Sequence, residues 1–394
     1  MNDIPKGFQK TEVGVIPSDW VLFSIEKLTP ENKQYTIVDG PFGSNLKTVH
    51  YRKSGIPIIT SGYVTDGKFL AKDYLYVDLE KFKQEKRSAV RGGDIVMAKI
   101  GERCGASAIL PENHQEAILS GNALKITIDE NKFSKELISQ ILWQHHIKGN
   151  FEILRTTGAQ PAISMANLKK YKIPLPPTKA EQTIIATALN DADKLITELE
   201  KLIAKKRNIK QGAMQELLRP KKGWVVKKLE EVLRVRHGKS QKEVVDENGQ
   251  YPILASGGTI GKAKAYLYNK PSVLIGRKGT IDEPQYMDTP FWSVDTLFYT
   301  EAFDGNNAKF IFYMFCLIDW YSYNEASGVP SLNAKTIELI ERYFPKEEKE
   351  QTRIAQILFD MDAEIDALEK KLEKYKMLKQ GMMQNLLTGK IRLV

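Results

Sequence analysis

The stretch from Pro161 to Lys221 recurs without a gap from Pro330 to Lys390, at an offset of 169 residues. A repeat of this length fixes domain count and internal symmetry together. Glu181-Gln182-Thr183 matches Glu350-Gln351-Thr352, and Ile185-Ala186 matches Ile354-Ala355. Further on, Leu199-Glu200-Lys201 matches Leu368-Glu369-Lys370, and the closing Lys210-Gln211-Gly212, Met214-Gln215 and Leu217-Leu218 match Lys379-Gln380-Gly381, Met383-Gln384 and Leu386-Leu387.

Apolar residues in the first copy fall at Ile185, Leu189, Ala192, Ile196, Leu199 and Ile203, and in the second at Ile354, Leu358, Met361, Ile365, Leu368, Leu372 and Tyr375. Alternating steps of four and three are the period of a coiled-coil seam. Thr178-Lys179-Ala180-Glu181 reads as a capping box after Pro174-Leu175-Pro176-Pro177 has barred an earlier start, and Pro220 and Gly389 stop the two copies. Each copy is expected to be a helix of roughly 40 residues, roughly 60 Å long. Gly212 and Gly381, inside these helices, suggest close helix approach, partner docking or fraying near the helix end.

Residues 1–160 and 221–344 lack this period and carry short apolar runs broken by Gly, Pro and Asp, which are strand and turn signals. They also correspond to one another. Ile56-Pro57-Ile58-Ile59-Thr60-Ser61-Gly62 resembles Tyr251-Pro252-Ile253-Leu254-Ala255-Ser256-Gly257, and Ile95 to Gly101 resembles Val273 to Gly279. Pro17-Ser18-Asp19-Trp20 has an echo before Trp224. The offsets differ here, so the two regions are expected to share a frame and differ in their loops. The order is globule (1–160), helix region (161–220), globule (221–344), helix region (345–394). The expected fold is α+β: two mixed α/β globules joined and separated by two long antiparallel helices in a coiled coil, a pseudo-twofold dumbbell.

Lys plus Arg number 58 against 49 Asp plus Glu, a net charge of +9, which favours an anionic partner such as nucleic acid. Cys104 and Cys316 alone offer neither a disulfide framework nor a zinc module. The longest apolar run, Phe310 to Ile318, is too short for a bilayer, and Met1-Asn2-Asp3-Ile4-Pro5 has no export pattern, so a soluble cytoplasmic protein is expected, with no membrane partner. Ser256-Gly257-Gly258-Thr259-Ile260-Gly261-Lys262-Ala263 is one residue short of a phosphate loop, and Ala263 has no hydroxyl for Mg²⁺, so it reads as a Gly-rich turn. His50, His114, His145, His146 and His237 have no metal-ligand spacing. Carboxylate strings such as Glu347-Glu348-Lys349 are what a highly charged chain contains without being a nuclease centre. No motif for flipped adenine or S-adenosylmethionine is present, which points to a binding subunit with no metal, no cofactor and no catalytic residue of its own. Phe8, Tyr35, Phe310, Phe312, Tyr313 and Phe315 are expected in the core rather than stacked on bases.

Two globules with one frame and different loops suit the reading of two short sequences on a polymer of fixed pitch, and duplex DNA is such a polymer. The strings Gly158-Ala159-Gln160-Pro161 and Gly328-Val329-Pro330 end the globules; each is followed by a Pro-containing entry, a Glu-Gln-x-x-Ile-Ala string and a helix closing in Lys-Gln-Gly-x-Met-Gln-x-Leu-Leu. Over essentially its whole length the chain thus resembles the specificity subunit of type I restriction-modification systems. The second copy departs only in having Phe344-Pro345 for Leu175-Pro176-Pro177. The resemblance implies two target recognition domains, helices that act as the spacer, and double-stranded DNA as partner. It further implies two methyltransferase subunits that bring S-adenosylmethionine and methylate a flipped adenine, with two ATP- and Mg²⁺-dependent restriction subunits able to join. The rivals are a methyltransferase or nuclease with diverged motifs, and a coiled-coil scaffold with no role on DNA.

Exposed loops after the matched strands are the natural readers of a groove. In the first globule these are Ser61 and Tyr63, then Lys99 and Arg103 around Gly101; in the second, Ser256, Thr259, Arg277, Lys278 and Thr280. Thr157, Gln160, Ser327 and Ser331 lie where each globule meets its helix and complete the expected DNA-binding set.

Overall fold

Thr178 opens the first long helix: its Oγ1 accepts a hydrogen bond from the Glu181 amide at 3.3 Å, and the prolines before it cannot extend a helix backwards. In this computed structural model, which describes residues 4–156 and 160–393, the two repeated segments are helices Lys179–Leu217 and Glu348–Leu386, each of 39 residues. Only one arm of the capping box is used. The Glu181 carboxylate, 3% exposed, turns instead to the guanidinium of Arg392, with Nη2 2.7 Å from Oε2, and Arg392 also reaches Asp19 at 3.0 Å. A bidentate guanidinium outcompetes a single backbone amide for a carboxylate.

The chain divides into two compact units, residues 1–197 with 373–394, and residues 198–372. Each contains a segment of both helices. In the first unit Ile185, Ala186 and Leu189 share a core with Leu386 and Leu387, and Lys379 Nζ lies 2.6 Å from Asp193 Oδ1. In the second, Met214 shares a core with Ile354, Ala355 and Leu358; Lys206 pairs with Glu364 at 2.7 Å, Arg207 with Glu369 at 2.6 Å, and Lys210 with Asp362. Positions rise along one helix as they fall along the other, so the segments pack antiparallel in both units. The seam follows the expected period: Ile185, Leu189, Leu199, Ile203, Ile354, Leu358, Ile365 and Leu372 are all buried, each contributing on the order of 1.5–3 kcal/mol of apolar burial.

The repeated Gln182 and Gln351 tie each helix start to its globule. Gln182 accepts from the Ser134 amide at 3.0 Å and donates to the Pro176 carbonyl at 3.0 Å. Gln351 accepts from the Asn307 amide at 2.9 Å and donates to the Pro345 carbonyl at 3.5 Å. Ser134 and Asn307 are themselves the caps of helices Lys135–Ile147 and Ala308–Phe315.

The shared frame of the globules is visible strand by strand. In the first unit a four-stranded antiparallel sheet has the order Ser107–Ile109, Ile95–Ala98, Ala123–Ile126, Ile37–Asp39. In the second the order is Gln285–Met287, Ser272–Gly276, Leu297–Ala302, Leu233–His237. Beside each sheet a parallel pairing repeats: Ile56–Ile59 with Ala117–Leu119, and Tyr251–Ala255 with Trp292–Ser293. The loops differ: the first unit inserts a small hairpin, Val64–Thr65 and Lys68–Phe69, and a helix Leu79–Gln84, whereas the second projects an edge strand Gly258–Ala263. The Gly-rich run from Ser256 to Ala263 is the turn and return strand of a β-hairpin that begins with Tyr251–Ala255.

Phe310, Tyr313 and Phe315 are core residues, and Phe8 and Phe312 are half-buried. Tyr35 is not in the core. It is 56% exposed, because a left-handed backbone (φ 59°) just before strand Ile37–Asp39 turns its side chain outward. Close helix approach does not account for Gly212 and Gly381 either, since a Cβ at either position would meet nothing within 4 Å.

Candidate nucleic-acid interface

Strand Ile95–Ala98 ends in Lys99-Ile100-Gly101, and strand Ser272–Gly276 ends in Arg277-Lys278-Gly279. Both tripeptides are held in the same way. The Lys99 amide donates to the Asn122 carbonyl at 2.8 Å, and the Arg277 amide to the Thr296 carbonyl at 2.8 Å. Ile163 N reaches Lys99 O at 2.9 Å and Gly101 N reaches Pro161 O at 3.0 Å; Leu332 N reaches Arg277 O at 2.9 Å and Gly279 N reaches Pro330 O at 3.0 Å. Gly101 (φ 97°) and Gly279 (φ 91°) sit in the left-handed region that only glycine enters without strain. The segments leading into each long helix are thereby stitched to the strand ends.

In the second unit this stitching gathers most of the expected residues. Lys278 forms a β-bridge with Ser331, whose amide donates to Asn324 Oδ1 at 2.9 Å. Ser256 Oγ lies 3.3 Å from where a Cβ on Gly279 would stand, and the Thr280 carbonyl packs against Gly276. Arg277 donates from Nη1 to the Asp295 carbonyl at 3.2 Å, which orients a half-exposed guanidinium. Lys278, Thr259 and Ser327 are exposed, Thr259 on the projecting edge strand.

The first unit handles its charges differently. Lys99 Nζ is 2.6 Å from Asp39 Oδ2, with both side chains largely buried, and 4.1 Å from the centre of the Phe42 ring. Arg103 donates to the Val64 carbonyl. Tyr63 donates to the Asp73 carbonyl at 2.6 Å and packs edge-on against Phe69 and Tyr74, and burial raises its hydroxyl pKa above the usual value. These three side chains thus have intramolecular partners. Ser61 is half-buried at the turn, Gln160 is exposed, and Thr157 lies outside the described residues.

Asn122, which no sequence motif singles out, stands at the junction. Its Oδ1 accepts from the Ser61 amide at 3.2 Å and from Ser120 Oγ at 2.5 Å, while its carbonyl holds Lys99. A lone Asn in a turn carries no periodic signal that would mark it. Among the described residues no group of three or more His, Cys, Asp or Glu side chains could hold a metal ion, and no helix is long and apolar enough to cross a membrane.

Two units with one backbone frame and different side chains at equivalent strand ends make this a tandem-repeat protein. The family model of the type I restriction modification DNA specificity domain matches residues 17–211 and, again, residues 221–376. The chain belongs to that family and carries its domain twice. It is 32% identical over 218 residues, 54% of this chain and 48% of the relative, to the protein named for the specificity subunit of type I restriction enzyme MjaX of Methanocaldococcus jannaschii. It is 26% identical over 194 residues, 48% of this chain and 43% of the relative, to the MjaVIII specificity subunit of the same organism. The chain spans about half the length of these curated relatives. The fold is that of the type I restriction-modification S subunit from M. genitalium, with a TM-score of 0.66 at 17% identity over 93% of this chain and 96% of that one. A chain from a structure describing complex assembly of the type I restriction-modification system superposes with a TM-score of 0.55 at 15% identity, over 95% and 99% of the two chains.

Proposed function

We propose that this chain is the DNA-recognition subunit of a type I restriction-modification complex, in which each globular domain reads one half of a bipartite, asymmetric double-stranded target. The observation that carries this is the repetition of the Lys99-Ile100-Gly101 stitching at Arg277-Lys278-Gly279 with different side chains. A conserved backbone holding divergent readers is what two different half-sites require. The expected residues Ser61, Tyr63, Lys99, Arg103, Thr157 and Gln160 belong to the first reading surface; Ser256, Thr259, Arg277, Lys278, Thr280, Ser327 and Ser331 belong to the second. Boundaries at 1–160, 161–220, 221–344 and 345–394 separate the recognition domains from the helical regions.

In this reading the helices set the half-site spacing and dock two methyltransferase subunits. S-adenosylmethionine, and the ATP and Mg²⁺ of the restriction subunits, belong to those partners, and the complex works in the cytoplasm. The chain positions chemistry without performing it. The test is genome-wide adenine-methylation mapping in cells expressing this chain with its methyltransferase partner. One bipartite motif is expected; the purified chain alone is expected to transfer no methyl group. Methylation by the chain alone, or methylation without a motif, would overturn the reading.

A further inference from the structure

We propose that Asn122 is a specificity-determining residue of the first domain, donating from Nδ2 to the acceptor edge of a guanine in its half-site. The inference rests on the DNA-recognition reading and adds to it a residue and a base.

Asn122 lies in the turn between strands Ala117–Leu119 and Ala123–Ile126, closed by the Ala123 amide on the Ser120 carbonyl at 3.0 Å. The turn has little freedom: the Ser120 amide is bound to Ile59 O at 2.8 Å and the Asn122 carbonyl to the Lys99 amide at 2.8 Å. The side chain is fixed as well. A backbone amide can only donate, so the atom facing Ser61 N must be the oxygen, and the Ser120 hydroxyl takes the second acceptor position on the same Oδ1. With both lone pairs occupied, the amide presents only its Nδ2 donors, which have no partner among the described residues, and the residue is exposed. Asn usually reads adenine by accepting and donating at once. Here the accepting half is used up. A donor-only group matches guanine, which shows the acceptors N7 and O6 side by side, and mismatches cytosine, which shows a donor.

The second domain has the same turn with another residue in the place. The Leu297 amide closes it on the Val294 carbonyl at 3.0 Å, and Thr296 holds the Arg277 amide as Asn122 holds that of Lys99. A position whose backbone role repeats while its side chain changes from amide to hydroxyl is suited to distinguish two half-sites.

The test maps adenine methylation by the chain with its methyltransferase partner, comparing wild type with Asn122→Ala and Asn122→Asp. Wild type should require guanine at one position of one half-site. Asn122→Ala should make that position degenerate, with discrimination falling about ten- to a hundredfold, and leave the other half unchanged. Asn122→Asp keeps the acceptors for Ser61 and Ser120 but removes the donors, so it should turn preference away from guanine toward a base offering a donor. Thermal unfolding checks that both variants are folded, and Asn122→Ser stands in for either that is not. An unchanged motif in the folded variants, or uniform loss at every sequence, would overturn the proposal. Absence of any motif for wild type would instead overturn the DNA-recognition reading.

Discussion

Lys379 Nζ meets Asp193 Oδ1 at 2.6 Å in one unit, and Lys210 meets Asp362 in the other. Lys379 and Asp362 follow Lys210 and Asp193 by the 169-residue offset of the repeat. Each pair therefore joins one copy's lysine to the other copy's aspartate, which is the signature of two like segments packed head to tail. The Asp193 pair is part-exposed, at 24% and 32%, so Asp193→Asn should cost about 1 kcal/mol or less. Asp362 also accepts from Tyr313 at 2.7 Å, so Asp362→Asn should cost more. Chemical denaturation of the two variants, with double-mutant cycles using Lys379→Met for Asp193 and Lys210→Met for Asp362, measures both terms.

Gly212 and Gly381 lie within the continuous helices without a packing reason inside the chain. Replacing either by Ala should raise stability by about 1 kcal/mol from helix propensity alone. A higher melting temperature for both variants is the expected result. If the methyltransferase partner docks against these positions, complex formation weakens while the isolated chain gains stability.

Gln182 and Gln351 are buried with both ends of the amide bonded. Gln182→Leu strands the Ser134 amide and the Pro176 carbonyl and should destabilise the first unit by roughly 2–4 kcal/mol. Gln351→Leu should do the same to the second unit, with a smaller loss because its bond to Pro345 is long. Hydrogen exchange, read separately over the two units, reports each effect.

His145 is held neutral by burial, with a smaller contribution from Lys148, which lowers its pKa from 6.5 to about 4; the Tyr171 hydroxyl stands 2.9 Å from its Nδ1. A histidine depressed in the folded state gives stability that is complete above its unfolded pKa and is lost as pH falls through the window from 6.5 to about 4. The total is on the order of 3 kcal/mol. Melting of the first unit should therefore fall between these pH values, and His145→Gln should flatten that dependence.

Arg277, oriented by the Asp295 carbonyl, is suited to bidentate contact with guanine. Arg277→Ala should cost about 1–3 kcal/mol and relax one position in the half-site opposite that of Asn122. Equal loss on all sequences, measured by competition binding of the complex, would mark a phosphate contact instead.

The helices were legible because their information is periodic and duplicated: the seam from Ile185 to Ile203 and its copy specify length, faces and mutual packing. The frame of the globules was legible where strand ends resembled one another, as at Gly101 and Gly279. What the sequence hid was local geometry. Nothing in the order of residues says that Lys99 finds Asp39, that Tyr63 packs on Phe69 and Tyr74, or that Tyr35 turns out of the core, because each depends on residues brought together by the fold. Asn122 was invisible for the same reason. Its meaning lies in two donors, Ser120 within its own turn and Ser61 from a loop distant in sequence.

The first unit is built from two stretches of chain, 1–197 and 373–394, while the second is a single stretch, 198–372. Synthesis runs from the amino end, so the ribosome completes the second unit before it has delivered Leu386 and Leu387 to cover Ile185 and Leu189, or Arg392 to meet Glu181 and Asp19. Until then the first unit waits with an oily groove open and a buried-to-be carboxylate unmatched. A released chain ending between Leu372 and Leu386 would therefore hold every residue of the second unit and leave Ile185 and Leu189 of the first without their cover.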